Sequence, residues 1–204
     1  MYEKVETEAS RVYLKRLAEA IGGEFCLIGG WAVYYTVNER YRKSTGKDYL
    51  GSRDIDIGVK DLESFKRMDR FLLKEMHFDH LSFRYVKYLD HDTGAAIEPE
   101  MAKKVPIHML FELYVDIMVP KYSEQVKKEL GFIPPDEPIL ETVFSISHNR
   151  IEFDLEHVKV AIPAPEFLLA MKLNSIGNRT KDHKRVKDLC DIAAICLFSP
   201  TDRD

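Results

Sequence analysis

The segment Gly51-Ser52-Arg53-Asp54-Ile55-Asp56-Ile57-Gly58-Val59 constrains the fold of this chain more than any other stretch. Its acids alternate with β-branched residues at the period of a strand, which sends successive side chains to opposite faces. Ile55 and Ile57 therefore enter a core, while Asp54 and Asp56 project together from the other face. Two carboxylates so placed repel each other unless a cation sits between them. The strand thus carries both acids on one face and is apolar on the other.

A lone Asp-x-Asp on a strand is most often a solvated edge, so its companions decide the reading. Residues 24 to 28 form a short strand that ends at Gly29-Gly30, with a helix from Trp31 to about Arg42 beyond. A Gly-Gly pair alone is only a turn. Between strand and helix it also lets backbone approach a phosphate closely, where the helix N-terminus offers unpaired N–H groups. Further on, Phe111, Leu113, Val115, Ile117 and Val119 alternate with Glu112, Tyr114, Asp116 and Met118. An acid at mid-strand costs free energy if buried without a partner. A metal ion shared by Asp54, Asp56 and Asp116 supplies one, and Glu112 on the same face is a weaker competitor. Carboxylates with phosphate oxygens suit a hard cation such as Mg2+.

The rest of the chain reads as a mixed α/β core followed by helices. Residues 4 to 21 make a helix with Ala9, Val12, Tyr13, Leu17, Ala20 and Ile21 on its buried stripe, stopped at Gly22-Gly23. A polar loop, 43 to 52, leads to the Asp54/Asp56 strand. Asp61 caps a helix that buries Phe65, Met68, Leu72 and Met76. Residues 82 to 89 read as a strand, 90 to 106 as a long loop, and 142 to 147 and 151 to 160 as two strands after the Pro-rich segment 133 to 138. Pro163 and Pro165 open the helical region. A helix from Glu166 to Ile176 breaks at Gly177-Asn178, and a last helix places Val186, Leu189, Cys190, Ala193, Ala194 and Leu197 at helical spacing. Residues 1–162 are thus the core and 163–204 a C-terminal helical subdomain packed on it.

Composition is that of a globular protein: 204 residues, 45% hydrophobic and 31% charged. A net charge of -4 argues against coating nucleic acid over the whole surface, though a local basic groove remains compatible with it. Cys26, Cys190 and Cys196 lie in apolar patterns without metal-ligand spacing and read as buried free thiols of a reducing compartment. Residues 1 to 4 carry no signal-peptide apolar run, and no apolar stretch approaches membrane-spanning length, so a cytoplasmic location is expected.

Cations complete the pattern. Lys172 lies among apolar residues in Pro165-Glu166-Phe167-Leu168-Leu169-Ala170-Met171-Lys172, which aims its ammonium into a cleft where it can pair with triphosphate oxygens. Arg179, Lys181, Lys184, Arg185 and Lys187 follow; a run of this kind is by default a solvated helix face. Three acids, a glycine turn and cleft-facing bases define one chemistry: metal ions clamp a nucleoside triphosphate, an acceptor hydroxyl attacks the α-phosphate, and pyrophosphate leaves.

Ile28-Gly29-Gly30, Asp54-Ile55-Asp56 and Asp116 resemble the nucleotidyltransferase superfamily that includes DNA polymerase β, its minimal bacterial and archaeal relatives and the antibiotic nucleotidyltransferases. Pro165 to Lys172, Arg179 and Lys187-Asp188-Leu189-Cys190-Asp191-Ile192 are similar to the toxin-type enzymes of the AbiEii and MenT kind. The resemblance spans roughly residues 24 to 197. It implies a nucleotidyltransferase fold, with a mixed β-sheet flanked by helices, and two Mg2+ ions for which Mn2+ can substitute. Asp54, Asp56 and Asp116 would hold the metals, and Asp116 would also help deprotonate the acceptor. Gly29 and Gly30 would line the triphosphate, Ser52, Arg53 and Lys172 would contact phosphates, and Asp188 would position Lys172 or the acceptor. Asp191 is either a helix-surface acid or the partner of Lys187 at i, i+4.

Two departures stand out. Trp31 occupies the position after Gly-Gly where relatives often carry Ser or Thr, a role Ser52 could take over. The stretch from 31 to 53 is longer than usual and carries Arg40-Tyr41-Arg42-Lys43, which with Tyr49 either meets an RNA acceptor or forms a solvated helix end. The leading reading is transfer of a nucleoside monophosphate from an NTP to a hydroxyl of RNA (a tRNA end) or protein, as in a toxin with a cognate antitoxin. Its rivals are an antibiotic-type enzyme acting on a small molecule, a silent nucleotide- or partner-binding relative, and a structural α/β domain.

Overall fold

A computed structural model of the chain describes residues 3–21, 23, 25–177 and 179–200. Gly22, Glu24 and Asn178, to which the sequence assigns a helix stop, a strand start and a helix break, lie outside the described residues. Helix α1 (Lys4–Ile21) leads to β1 (Phe25–Ile28), α2 (Gly29–Thr45), β2 (Ile55–Val59) and α3 (Leu62–Lys74). Then come β3 (Asp79–Leu81), β4 (Arg84–Asp90), β5 (Ala96–Ile97), α4 (Pro99–Ala102) and β6 (Leu110–Met118). The remainder is α5 (Glu124–Leu130), α6 (Ile139–Ser145), β7 (Arg150–Leu155), β8 (Val158–Pro163), α7 (Pro165–Gly177) and α8 (Asp182–Phe198).

The strands form one mixed sheet in the order β3-β4-β6-β2-β1-β8-β7, with β5 paired to β4. β2 runs parallel to β6, and β1 parallel to β8; the other pairs are antiparallel. The alternation in β2 and β6 works as expected: Ile55, Ile57, Leu113, Val115 and Ile117 are at most 1% exposed. They join Leu14 and Leu17 of α1 and Phe65, Met68 and Leu72 of α3 in the main core. A smaller apolar cluster on the other face brings Cys26 and Ile28 of β1 against Leu140, Val143 and Met171. Asp61 caps α3 by accepting a hydrogen bond from Ser64 N at 2.9 Å. Among the described residues no helix is long and apolar enough to cross a membrane.

Several expectations fail for identifiable reasons. Residues 142 to 147 do not form a strand: 139–145 are α6, whose Leu140 and Val143 stand one turn apart and bury together. The loop from 90 to 106 contains β5 and α4, and 151 to 160 divides into the β7–β8 hairpin around positive-φ residues Glu156 and His157. α5 is an element without a counterpart in the sequence reading; Ser123 caps it and Gly131 ends it in the left-handed conformation. In α1, Val12 is exposed, and Ser10, Leu14 and Ala18 lie inside. Cys190 and Cys196 are exposed; Cys26 alone of the three cysteines is buried. In α8 the exposed side carries Val186, Leu189 and Leu197, whereas Asp188, Asp191, Ala194 and Ile195 are buried. Charge pairing, described next, turns that helix.

Candidate functional site

One transverse row of the sheet assembles the acids. Asp56 lies opposite Ile28 in the antiparallel β1–β2 ladder and opposite Asp116 in the parallel β2–β6 ladder. Asp116 lies opposite Arg84 in the antiparallel β4–β6 ladder. Side chains of paired residues share a face, so Ile28, Asp56, Asp116 and Arg84 line up across four strands. Asp54 precedes β2 by one residue and, two positions from Asp56, returns to that face.

The row floors a cleft of about 190 Å3 that is lined by Gly29, Gly30, Ser52, Asp54, Asp56, Asp116, Lys172 and Asp188. Eight of the nine residues singled out in the sequence thus meet in one place. Arg53 does not line it; its guanidinium meets Glu6 Oε1 at 3.2 Å and Asp54 Oδ1 at 3.5 Å and borders a neighbouring depression. Arg179, Lys184 and Lys187 of the basic run do line the cleft.

Gly29 begins α2 with φ of +65°, and a Cβ placed on it would fall 2.0 Å from Asp56 Oδ2. Only glycine both adopts this backbone without strain and leaves room for that carboxylate. Gly30 faces Ser52 Oγ, which donates to the Asp54 carbonyl at 2.9 Å. Trp31, the departure after the glycine pair, is buried and donates from Nε1 to Ser10 Oγ at 2.9 Å. It belongs to the core beneath the cleft.

The acids strain against one another. Burial, reinforced by Asp116 and Asp54, pushes the Asp56 carboxyl well above the usual range, against the pull of Lys172 and Arg84. Burial also raises Asp116 despite Arg84. Arg84 grips Asp116 with both arms, Nε to Oδ1 at 2.7 Å and Nη2 to Oδ2 at 2.8 Å, and reaches Asp54 Oδ2 at 3.8 Å. Its guanidinium lies 4.0 Å from the ring centroid of Tyr114. Sequence pattern passes over Arg84, because an arginine in a strand ordinarily reads as solvent-facing. Only the ladder register places it opposite Asp116.

Behind the acids stands a second ionic cluster. Lys172 Nζ is 3.1 Å from Asp188 Oδ1 and 2.8 Å from Asp191 Oδ2, and the residue is 7% exposed. Burial pulls its ammonium down, but Asp191 and Asp188 outweigh burial and raise it. Asp188 also accepts from Arg179 Nε at 2.7 Å. Burial pushes its carboxyl up, yet Lys172 and Arg179 leave it below the usual range. Asp191 is fully buried, pairs with Lys187 at 3.1 Å and accepts from Tyr49 Oη at 2.9 Å. It is therefore no surface acid. Tyr49 is also buried and packs on Tyr41, itself against Phe198, so this pair forms no exposed stacking platform for RNA.

The donor set suits a hard divalent cation: carboxylates, with neither thiolate nor imidazole beside them. Asp54 Oδ1 is buried and accepts no hydrogen bond among the described residues, its nearest cation being the Arg53 guanidinium at 3.5 Å. Yet among these residues no three His, Cys, Asp or Glu side chains converge into a ready metal cage. Arg84 already holds both oxygens of Asp116.

No family model matches the chain, and no curated protein is significantly similar to it. Its fold is similar to that of a solved antigenic nucleotidyltransferase-like protein from Paracoccidioides brasiliensis, with a TM-score of 0.51 and 15% identity over 92% of this chain and 75% of that one. A polyadenylate synthase of Megavirus aligns at a TM-score of 0.44 and 11% identity over 97% of this chain and 33% of that one, too loosely to add to the fold assignment. The architecture is nucleotidyltransferase-like: a mixed sheet flanked by helices.

Proposed function

We propose that the chain transfers a nucleoside monophosphate from an NTP to an acceptor hydroxyl and releases pyrophosphate. The observation that supports this most is the row of Asp56 and Asp116 on adjacent parallel strands, with Gly29 pressed against it and Asp54 beside it. Carboxylates crowded closely enough to repel one another are poor architecture for stability and good architecture for holding phosphates through cations. Mg2+, or Mn2+ in its place, would be held by Asp54, Asp56 and Asp116 and would neutralise charge on the triphosphate.

The chain's own groups supply the rest. The N–H groups that open α2 at Gly29 and Gly30, with Ser52 beside them, offer donors to phosphate oxygens. Lys184 and Lys187 supply positive charge along the cleft wall. Lys172, held by Asp188 and Asp191, contributes a fixed field. Asp116 is the acid placed to orient the acceptor hydroxyl and take its proton.

The cleft has room for phosphates but not for a whole nucleotide and its acceptor. A depression of about 940 Å3 adjoins it, sharing Asp54, Lys184 and Lys187 and bounded by Arg11, Trp31 and Tyr34. That volume is within the range of small-molecule sites, so our preference for a macromolecular acceptor, an RNA end such as that of tRNA or a protein side chain, over an antibiotic-sized one rests on the similarity of the C-terminal motifs to the toxin-type enzymes. A toxin restrained by a cognate antitoxin is the biological setting that fits the Lys172, Arg179, Asp188 and Asp191 constellation.

The test is incubation with each α-labelled NTP and Mg2+, with and without total tRNA, following pyrophosphate and label. Transfer that Asp54→Asn abolishes is the expected result. Mg2+-dependent NTP binding without pyrophosphate release would instead make the protein a silent nucleotide binder.

A further inference from the structure

Arg84 stands where the divalent cation has to compete. Its guanidinium uses two donors on the two oxygens of Asp116 and lies 3.8 Å from Asp54 Oδ2, so one side chain compensates two of the three acids. The pair is built rather than incidental. The two residues are directly opposed in the β4–β6 ladder, and Tyr114 supports the guanidinium from below at 4.0 Å while its hydroxyl donates to Glu112. The fork fills one lone pair on each Asp116 oxygen and leaves a cation only the two outer ones, beside the positive guanidinium.

We propose that Arg84 is a resident counter-ion that holds Asp116 in the metal-free protein and competes with a divalent cation for it, giving up at least one Asp116 oxygen as the metal binds. The triphosphate provides the guanidinium with a replacement, because arginine forks match phosphate as well as carboxylate. Arg84 would then tie metal entry to nucleotide entry: the metal alone binds weakly, and nucleotide lowers the cost of displacement for both. Arg84 acts here as a positioning residue. The inference rests on the proposed transfer chemistry only in assigning the metal to Asp54, Asp56 and Asp116.

The experiment is a titration with Mn2+ alone, read by electron paramagnetic resonance of the free ion, on the full chain and on Arg84→Met and Arg84→Lys. Removing the cation should tighten Mn2+ binding about fivefold or more. Charge alone would do that too, so the lysine variant decides. It retains the charge but cannot fork across both oxygens, and displacement requires that it also bind Mn2+ more tightly than the parent. Equal affinity of the lysine variant and the parent overturns the proposal, as does equal affinity of the methionine variant. Should Arg84→Met fail to fold, as judged by circular dichroism, the comparison of Arg84→Lys with the parent is sufficient by itself. If neither the parent nor a folded variant binds Mn2+, the metal-dependent transfer reading falls and this one with it. If Mn2+ binds but Arg84→Lys does not differ, only this inference falls.

Discussion

Gly29 and Asp56 are matched by exclusion: any β-carbon at position 29 would stand 2.0 Å from Asp56 Oδ2, and φ of +65° disfavours one there in any case. Gly29→Ala should therefore lose about 1–3 kcal/mol of stability through backbone strain and displace the Asp56 carboxylate. Gly30→Ala should cost less, since position 30 has no positive φ and a Cβ there would meet its nearest atom, Ser52 Oγ, at 2.8 Å rather than 2.0 Å. Urea melts measure both. An alanine at 29 that costs no more than one at 30 would disprove the exclusion.

Asp56→Asn should abolish transfer and stabilise the metal-free protein. The Asp56 carboxyl is raised by burial, Asp116 and Asp54 to about 7 in the fold, from an ordinary value near 3.8. Between these values the folded state binds more protons than the unfolded one, so the residue's contribution to stability falls as pH rises through this window and stays low above it. The asparagine variant should melt higher than the parent at pH 8, with the difference shrinking toward pH 5. Saturating Mg2+ and NTP should narrow the gap at pH 8 by stabilising the parent alone. Thermal melts at the two pH values measure it, and a gap of equal size at both would contradict the assigned cause.

Lys172→Met removes the one cation that Asp188 and Asp191 share, in a site that water scarcely reaches. Asp188 keeps Arg179 and Asp191 keeps Lys187, so the loss should fall below the about 3–5 kcal/mol of a wholly uncompensated buried charge. The expected signature is a lower urea midpoint with an unchanged slope. A variant of parental stability that has lost only NTP affinity would make Lys172 a direct phosphate ligand.

Trp31→Phe tests the residue that follows the glycine pair. The indole N–H donates to Ser10 Oγ, which is buried, so its loss should cost about 1–3 kcal/mol while leaving transfer per folded molecule near the parental level. A specific loss of activity at unchanged stability would place Trp31 in the site chemistry.

The strands that carry the acids are legible because two-residue alternation encodes both a fold and a face: Ile55, Ile57, Leu113, Val115 and Ile117 all enter the core, while Asp116 between them is buried on the cleft side. The last helix misleads for the opposite reason. Its apolar spacing points to Val186, Leu189 and Leu197, but Asp188 and Asp191 turn inward to meet Lys172, and ionic pairing outweighs amphipathic pattern there. Thr142 to Ser147, rich in β-branched and aromatic residues, has the composition of a strand, yet Leu140 and Val143 need a helical turn to reach the same pocket. Arg84 cannot be found by pattern at all. Its meaning lies in a partner 32 positions away, and only strand register supplies that distance.

β2 lies between β1 and β6 with Asp56 facing Ile28 on one side and Asp116 on the other. A one-residue slip of this strand would carry Ile57 into the cleft and Asp56 into the hydrocarbon layer. Misthreaded molecules thus forfeit core and cleft in the same stroke, and no half-active population can arise from them. Under the proposed transfer chemistry, specific activity in a preparation of this protein would count the correctly zipped chains, a folding gauge that needs no spectroscopic probe.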